Sequence, residues 1–412
     1  MYHKLNALVA NIYYGFPSKN IKIIAVTGTD GKTTTATLIY HIIKSAGLKV
    51  ALISTVAAYI GNEILETGLH VTSPEPWELQ RLIKEIVSKD FDYLDLEVTS
   101  HGIDQNRVYG IKPKISVLTN ITHEHLDYHG TYINYLNTKT KLIKTSEIAI
   151  LNSSDESYEL VKNQLSKLIK VIPYNTKTLT GELYKEVISR FPEKYNRENA
   201  TAAVLVAKTL NIGEEVIAKS IKNFAGVIGR MQSMSNKKGI KIYIDFAHTP
   251  NALKQVLLAL SKNKYERSKI ICVFGCASER DPNKRPIMAK HSTTIADYTI
   301  FTAEDPRHED IDKIIAEMVE GANIIAVEKN KADLGKNKVA SKKHVYIRVP
   351  ERGEAIFLAI NKIAKKGDIV VICGKGHEKS MAYFGVEHPW SDFVAVKKAL
   401  AGKMLEIKHD AK

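Results

Sequence analysis

The segment Val26-Thr27-Gly28-Thr29-Asp30-Gly31-Lys32-Thr33-Thr34 lies between a β-branched run and a stretch with helical apolar spacing. Glycines there let successive backbone N–H groups wrap a phosphate chain at a helix N-terminus. Lys32 suits neutralisation of β- and γ-phosphates, and the Thr33 hydroxyl suits Mg²⁺. The first glycine stands closer to Gly31 than the usual P-loop spacing allows, and a glycine turn with an incidental lysine competes with this reading. The strand–helix setting favours nucleotide phosphate, without naming a reaction.

Two further clusters end predicted strands, where ligands of open α/β sheets gather. One is Glu97-Val98-Thr99-Ser100-His101; the other runs from Thr119 to His129 and carries His123, Glu124, His125, Asp127 and His129. A carboxylate and several imidazoles at adjacent strand ends suit a divalent metal bridging phosphate oxygens, although ligand type alone leaves zinc beside Mg²⁺.

The elements that must hold these groups alternate. Ile21–Val26, Val50–Ser54, Tyr93–Val98 and Ile115–Asn120 read as strands, and Thr33–Ala46, Glu75–Ser88 and Tyr132–Lys144 as helices, which is the pattern of βαβ units and a parallel sheet. Pro173 to Glu193 reads as irregular and polar, followed by helices Glu198–Leu210 and Gly213–Phe224. A second α/β series starts at Lys241–Phe246 and continues with helix Asn251–Leu260 and strands Ile270–Phe274, Tyr298–Thr302 and Ile369–Cys373. The glycine-bearing segment Val227–Gly239 is the natural boundary. The expected organisation is a short N-terminal segment, 1–20, docking as a helix, then domains 21–228 and 229–412.

At 412 residues the chain can bury two or three cores without disulfides, and Cys272, Cys276 and Cys373 show no CxxC spacing, so buried thiols in a reducing compartment are expected. The sequence shows no signal-peptide pattern and no apolar run of bilayer-spanning length, so a cytoplasmic protein without membrane insertion is expected. The net charge of +14 is spread as 59 basic residues among 45 acidic ones, which argues against a nucleic-acid partner and for solvated surfaces or clefts that gather anions.

GTDGKTTT, EVTSHGIDQNRV, TNITHEHLDYHGTYINYLNTKTKL, IDFAHTPNAL, GCASERDPNKRP, TAEDPRHED and CGKGHE occur in this order. Together they resemble the Mur ligase family, in particular the MurE type, which adds the third amino acid to UDP-N-acetylmuramoyl-L-Ala-D-Glu in peptidoglycan precursor synthesis. The likeness runs from Ile21 to the C-terminus. It implies a central P-loop ATPase-type parallel sheet domain and a C-terminal Rossmann-like α/β domain. It also implies a monomeric ligase forming an amide through an acyl phosphate at the expense of ATP.

By that resemblance, Gly28, Thr29, Asp30, Gly31, Lys32, Thr33 and Thr34 bind ATP phosphates, with Lys32, Glu97, His125 and Lys139 forming the catalytic group. Thr33 and Glu97 hold one Mg²⁺; His125 and Lys139, the latter as a CO₂-derived carbamate, serve a second. An unmodified ammonium would repel Mg²⁺, whereas a carbamate offers anionic oxygens; an ordinary surface lysine is the competing reading. Asn199 stands near the adenine, Arg230 contacts ATP, and Asp245 and His248 face the nucleotide on domain closure. Thr72, Ser73, Thr99, Ser100, Gln105 and Arg107 hold the acceptor. Arg280, Asp305, Arg307, Gly374 and Glu378 hold the incoming amino acid, Arg307 and Glu378 in the manner of the meso-diaminopimelate type.

Two features depart from the family pattern. Glu304-Asp305-Pro306-Arg307 replaces Asp-Asn-Pro-Arg, so Asp305 repels a carboxylate unless Arg280 or Arg307 compensates. The expectation is of a chain without the N-terminal domain that grips UDP in MurE, with Met1 to Asn20 standing in its place. Lysine as the added amino acid, a non-UDP acceptor as in folylpolyglutamate or cyanophycin synthesis, and a non-catalytic ATP-binding subunit are the rivals.

Overall fold

The computed structural model describes residues 2–65, 74–122, 124–331 and 344–407. The chain forms two compact units, Met1–Ala225 and Gly226–Lys412.

In the first unit the strands are β1 (Lys22–Thr27), β2 (Val50–Ile53), β3 (Ala58–Ile60), β4 (Glu63–Leu65), β5 (Tyr93–Glu97), β6 (Ile115–Leu118), β7 (Ile148–Asn152) and β8 (Lys170–Tyr174). They form one sheet in the order β4-β3-β2-β5-β1-β6-β7-β8, antiparallel at the β2-β3-β4 edge and parallel elsewhere. Continuous apolar runs such as Ile23–Val26 suit strands covered on both faces, and the central strands β1, β5 and β6 are buried apart from Lys22 at the start of β1. The helices are α1 (Tyr2–Tyr13), α2 (Lys32–Ser45), α3 (Pro76–Ser88), α4 (Ser100–Asp104), α5 (Leu126–His129), α6 (Tyr132–Ile143), α7 (Tyr158–Lys162), α8 (Gly181–Arg190), α9 (Lys194–Thr209) and α10 (Glu214–Lys222). The α3 stripe Leu79, Leu82, Ile83 and Ile86 packs on Ile23, Ala25, Leu94 and Leu96. Because α1 carries Ala7 and Ala10 on its buried side, it approaches closely; Asn11 donates to the Tyr109 carbonyl at 3.0 Å.

The second unit has strands β9 (Gln232–Met234), β10 (Lys241–Asp245), β11 (Ile270–Phe274), β12 (Tyr298–Phe301), β13 (Val327–Glu328), β14 (Val345–Arg348) and β15 (Ile369–Cys373). Their order is β13-β14-β12-β11-β15-β10-β9, parallel apart from the β9–β10 pair. A separate hairpin joins β16 (Ser380–Tyr383) to β17 (Val386–Pro389). Helices α11 (Pro250–Lys262), α12 (Lys284–Ile295), α13 (Ile311–Glu320), α14 (Arg352–Leu358) and α15 (Asp392–Leu400) cover the sheet. Cys272, Cys276 and Cys373 are all buried free thiols, on or just beyond β11 and β15.

The segment expected to be irregular, Pro173–Glu193, contains the end of β8 and the ten-residue helix α8. Only Leu183 and Val187 of α8 face inward, one turn apart, so its apolar signature is too thin to read through the polar residues around it. Among the described residues, no helix is long and apolar enough to cross a membrane.

Candidate active site

Strand register gathers the first group. Val26 pairs with Glu97 and Thr27 with Leu118, so the turn after β1, the carboxylate ending β5 and the Thr119-Asn120 pair after β6 share one sheet edge. At that edge Asn120 accepts from the Asp30 N–H at 2.9 Å and donates to the Asp30 carbonyl at 3.0 Å, and Thr119 donates to the same carbonyl at 2.7 Å. These bonds hold the loop open. Glycine is required at Gly31, where φ is +81° and an added Cβ would strike the Asn199 side chain of α9. Gly28, with φ +150°, lies equally hard against Thr119.

Within this frame the Thr33 hydroxyl donates to Glu97 Oε1 at 3.1 Å, and Glu97 Oε2 accepts from the Thr55 N–H at 3.1 Å. Both side chains are buried. Lys32 reaches back to the Thr29 carbonyl at 2.9 Å. A hydroxyl beside one carboxylate, at the mouth of a phosphate-type loop, is a donor set for a hard cation that keeps phosphate and water ligands. Among the described residues no three His, Cys, Asp or Glu side chains gather as a metal cage, so the closed zinc arrangement left open by ligand type is not formed there. His123 lies outside the described residues.

Lys139 is not a surface lysine. It is 1% exposed on α6, and its ammonium donates to the Gly28 carbonyl at 2.6 Å while lying 4.6 Å from the Tyr135 ring centre. Burial, and next the charge of Lys32, push its pKa well below the lysine range. The neighbouring Lys141 is exposed, with Asp104 at 3.6 Å. Sequence reasoning missed Tyr135, which also shares a 3.1 Å hydrogen bond with the Thr29 hydroxyl. Its signal was the buried side of the α6 periodicity.

His125 caps the start of α5 with left-handed backbone, φ +56°, and its ring packs 4.9 Å from His101. His101 in turn stacks on Tyr128 at 4.3 Å. Thr99 caps α4, accepting from the Gly102 N–H at 3.1 Å, and Ser100 is buried behind it. Arg107 donates to Gln105 Oε1 at 2.9 and 2.6 Å and pairs with Glu75 at 2.9 Å. Gln105 lies 3.4 Å from the Tyr128 hydroxyl. A polar cavity of about 290 Å³ opens between Asp104, Tyr128, His129 and Lys141. Thr72 and Ser73 lie outside the described residues.

In the second unit Asp245, ending β10, accepts from the Met231 N–H at 2.6 Å and the Ala247 N–H at 2.8 Å. The Arg230 guanidinium lies 4.4 Å over the Phe246 ring. His248 shares a 2.8 Å hydrogen bond with the Phe246 carbonyl; burial, then Lys284, pushes its imidazole down to about 3, so it is neutral at pH 7.

Asp305, buried and at φ +45°, accepts from Lys375 at 2.8 Å and from the Ala382 N–H at 3.0 Å. Lys375 also meets Glu378 at 2.5 Å. The compensating cation is therefore Lys375, where the sequence offered Arg280 or Arg307. Arg280 is exposed, and Arg307 donates to the Ser278 carbonyl at 3.2 Å with exposed Glu279 at 3.6 Å. Lys375 sits beside glycines in Cys-Gly-Lys-Gly-His-Glu, which had drawn attention to Gly374 and Glu378 instead. Beside it, Glu304 faces Gly374, and burial raises its carboxyl to about 7 despite Lys284, Arg352 and Lys375.

The Mur ligase middle domain matches residues 26–217, and the Mur ligase glutamate ligase domain matches 229–376. The UDP-N-acetylmuramoyl-L-alanyl-D-glutamate–2,6-diaminopimelate ligase of Clostridium botulinum is 35% identical over 396 residues, covering 91% of this chain and 77% of that protein. The enzyme of the same name from Bacteroides thetaiotaomicron is 33% identical over 408 residues, covering 95% and 80%. A solved structure of a ligase of that name aligns at 27% identity and TM-score 0.60 over 97% of this chain and 83% of that one. A bifunctional folylpolyglutamate synthase/dihydrofolate synthase from Yersinia pestis shares the fold, with TM-score 0.67 at 17% identity over 90% of each chain. Two family domains matched in series, and relatives a third identical along nine-tenths of the sequence, place this chain in the Mur ligase family of ATP-dependent acid–amino-acid ligases.

Proposed function

We propose that this ligase joins a diamino acid, meso-diaminopimelate, to UDP-N-acetylmuramoyl-L-Ala-D-Glu or a closely similar acceptor. The γ-phosphoryl group of ATP passes to the acceptor carboxylate, giving ADP and an acyl phosphate; the amine then attacks the acyl carbon and phosphate leaves. The Gly28–Thr34 loop and Lys32 hold and neutralise the transferring phosphate. Mg²⁺, held by Thr33 and Glu97 with a second ion served by His125 and carbamylated Lys139, would supply charge neutralisation for phosphoryl transfer. Burial beside the loop favours the neutral amine of Lys139, the form that adds CO₂. Asn199, Arg230, Asp245 and His248 are assigned to the nucleotide, and Thr72, Ser73, Thr99, Ser100, Gln105 and Arg107 to the acceptor.

The observation that carries the choice of amino acid is Lys375 on Asp305. Because Lys375 answers that carboxylate, Asp305 makes no claim on Arg307, whose guanidinium, beside the Ser278 carbonyl and exposed Glu279, is assigned to a second carboxylate on the substrate, with Arg280, Gly374 and Glu378 completing the pocket. Competing meso-diaminopimelate against lysine in one reaction, over UDP-linked and folate-type acceptors with products identified by mass spectrometry, tests both halves. Preference for diaminopimelate on the UDP-linked acceptor is expected; preference for lysine or a folate-type acceptor overturns the corresponding half.

A further inference from the structure

Helix α1 is built inside out. Its alanines, Ala7 and Ala10, face the protein, with Leu8 half-buried, while its other large apolar side chains face solvent: Tyr2 is 77% exposed, Leu5 59%, Val9 44%, Ile12 60% and Tyr13 72%. At helical spacing these five fall within an arc of about 100°, so they make one stripe. Ordinary surface helices turn such a stripe to the core, and leaving it in water forgoes the burial that normally orders a helix.

The neighbourhood indicates what covers it. From Tyr2 to Thr29 the sequence contains Lys4, Lys19 and Lys22 and no acidic residue. Tyrosines stand at both ends of the stripe. At its C-terminal end Tyr13 packs on Tyr14 at 4.9 Å and on half-exposed Trp77 at 5.5 Å, and Tyr14 lies 6.2 Å from Trp77. The acids nearest in sequence to Trp77 are already answered: Glu78 by Arg81 at 2.7 Å and Glu75 by Arg107 at 2.9 Å. Aliphatic residues in the middle, amphipathic rings at the ends, and an acid-free stretch of chain whose exposed lysines lie over rings, Lys4 on Tyr109, Lys19 on Phe16 and Lys22 on Tyr93, match the interface of an anionic bilayer, where rings sit at headgroup depth and cations meet lipid phosphates. Twelve residues span roughly 18 Å as a helix, too short to cross a bilayer but enough to lie in its surface.

We propose that α1 is an interfacial helix that seats this enzyme on an anionic lipid surface, with Tyr2, Leu5, Val9, Ile12 and Tyr13 entering the headgroup region. The test uses the full chain with extruded vesicles of phosphatidylcholine alone and of phosphatidylcholine containing about one-third phosphatidylglycerol, read by sedimentation. Binding is expected on the anionic vesicles, weaker on the neutral ones and weakened by salt. The double variant Leu5→Glu/Ile12→Glu should lose binding tenfold or more with its melting temperature and ligase activity unchanged, because both positions are exposed and neither is among the residues assigned to the site. Vesicle binding equal in the double variant would assign attachment to the basic surface at large and overturn the proposal. Absence of binding overturns it too. So does a concentration-dependent dimer that the same substitutions dissolve, since the stripe would then be covered by a second copy.

Discussion

Lys139 places a buried amine against the Gly28 carbonyl of the turn assigned to phosphate, and its neutral form is what a carbamate requires. With ¹³C-labelled bicarbonate, a carbamate resonance is expected in the wild type and should be missing from Lys139→Ala. That variant should lose turnover by about 10²-fold or more while keeping ATP affinity within a few-fold, because the lost group serves charge stabilisation in transfer. Short carboxylic acids should restore part of the rate. Full turnover in the alanine variant would remove Lys139 from the machinery. Lys32→Ala and Glu97→Ala should each abolish acyl-phosphate formation, measured as acceptor-dependent ADP release. Glu304 supplies a pH signature. Its folded carboxyl is raised to about 7 against an ordinary value of 4.5, so the folded state holds a proton that the unfolded chain releases between those pH values. Stability from this group is full below about pH 4.5 and falls as pH rises through 7. Glu304→Gln should therefore gain on the wild type by roughly 2–3 kcal/mol between pH 5 and 8, read by urea denaturation at each pH. A difference that does not vary with pH would show that Glu304 is already ionised.

At the scale of elements, the Gly31–Asn199 approach ties the loop after β1 to helix α9. Gly31→Ala meets both a left-handed backbone and the Asn199 side chain, and should cost about 2 kcal/mol or more. Adding Asn199→Ala relieves the second cost but not the first, so the pair should recover part of the stability and none of the nucleotide affinity. A double-mutant cycle of melting and calorimetric binding measures it, and strict additivity would break the proposed contact. This contact also marks how far sequence reading reaches. The central strands were legible because each is a continuous β-branched run, and their ends located the loop, Glu97 and the Thr119–His129 cluster. Strands β7 and β8 and helix α8 were not read: β7 is a short apolar run of a kind that strands and buried helices share, α8 buries only Leu183 and Val187, and Pro173 of β8 belongs to an edge strand that tolerates a missing donor. Lys375 was missed for another reason. Its partners Asp305 and Glu378 are respectively distant and close in sequence, and only the parallel arrangement of β12 and β15 in one sheet, with the loops that follow them, brings the two carboxylates to one amine.

Across the whole molecule, each unit has its own sheet and its own apolar cores, so the chain is expected to depart from two-state melting, with a calorimetric enthalpy exceeding the van't Hoff value. Equal enthalpies would mean that the units unfold as one. The three thiols allow the two halves to be timed apart. All of them sit in the interior of the second unit and none in the first. A disulfide reagent offered to the native protein should therefore wait, reacting only as fast as the second unit opens, and stay blind to any breathing of the first unit. In dilute urea the rate of colour release becomes a stopwatch for one half of the enzyme, built in without a label. Immediate release from the native chain would show that these strands open far more readily than their packing implies.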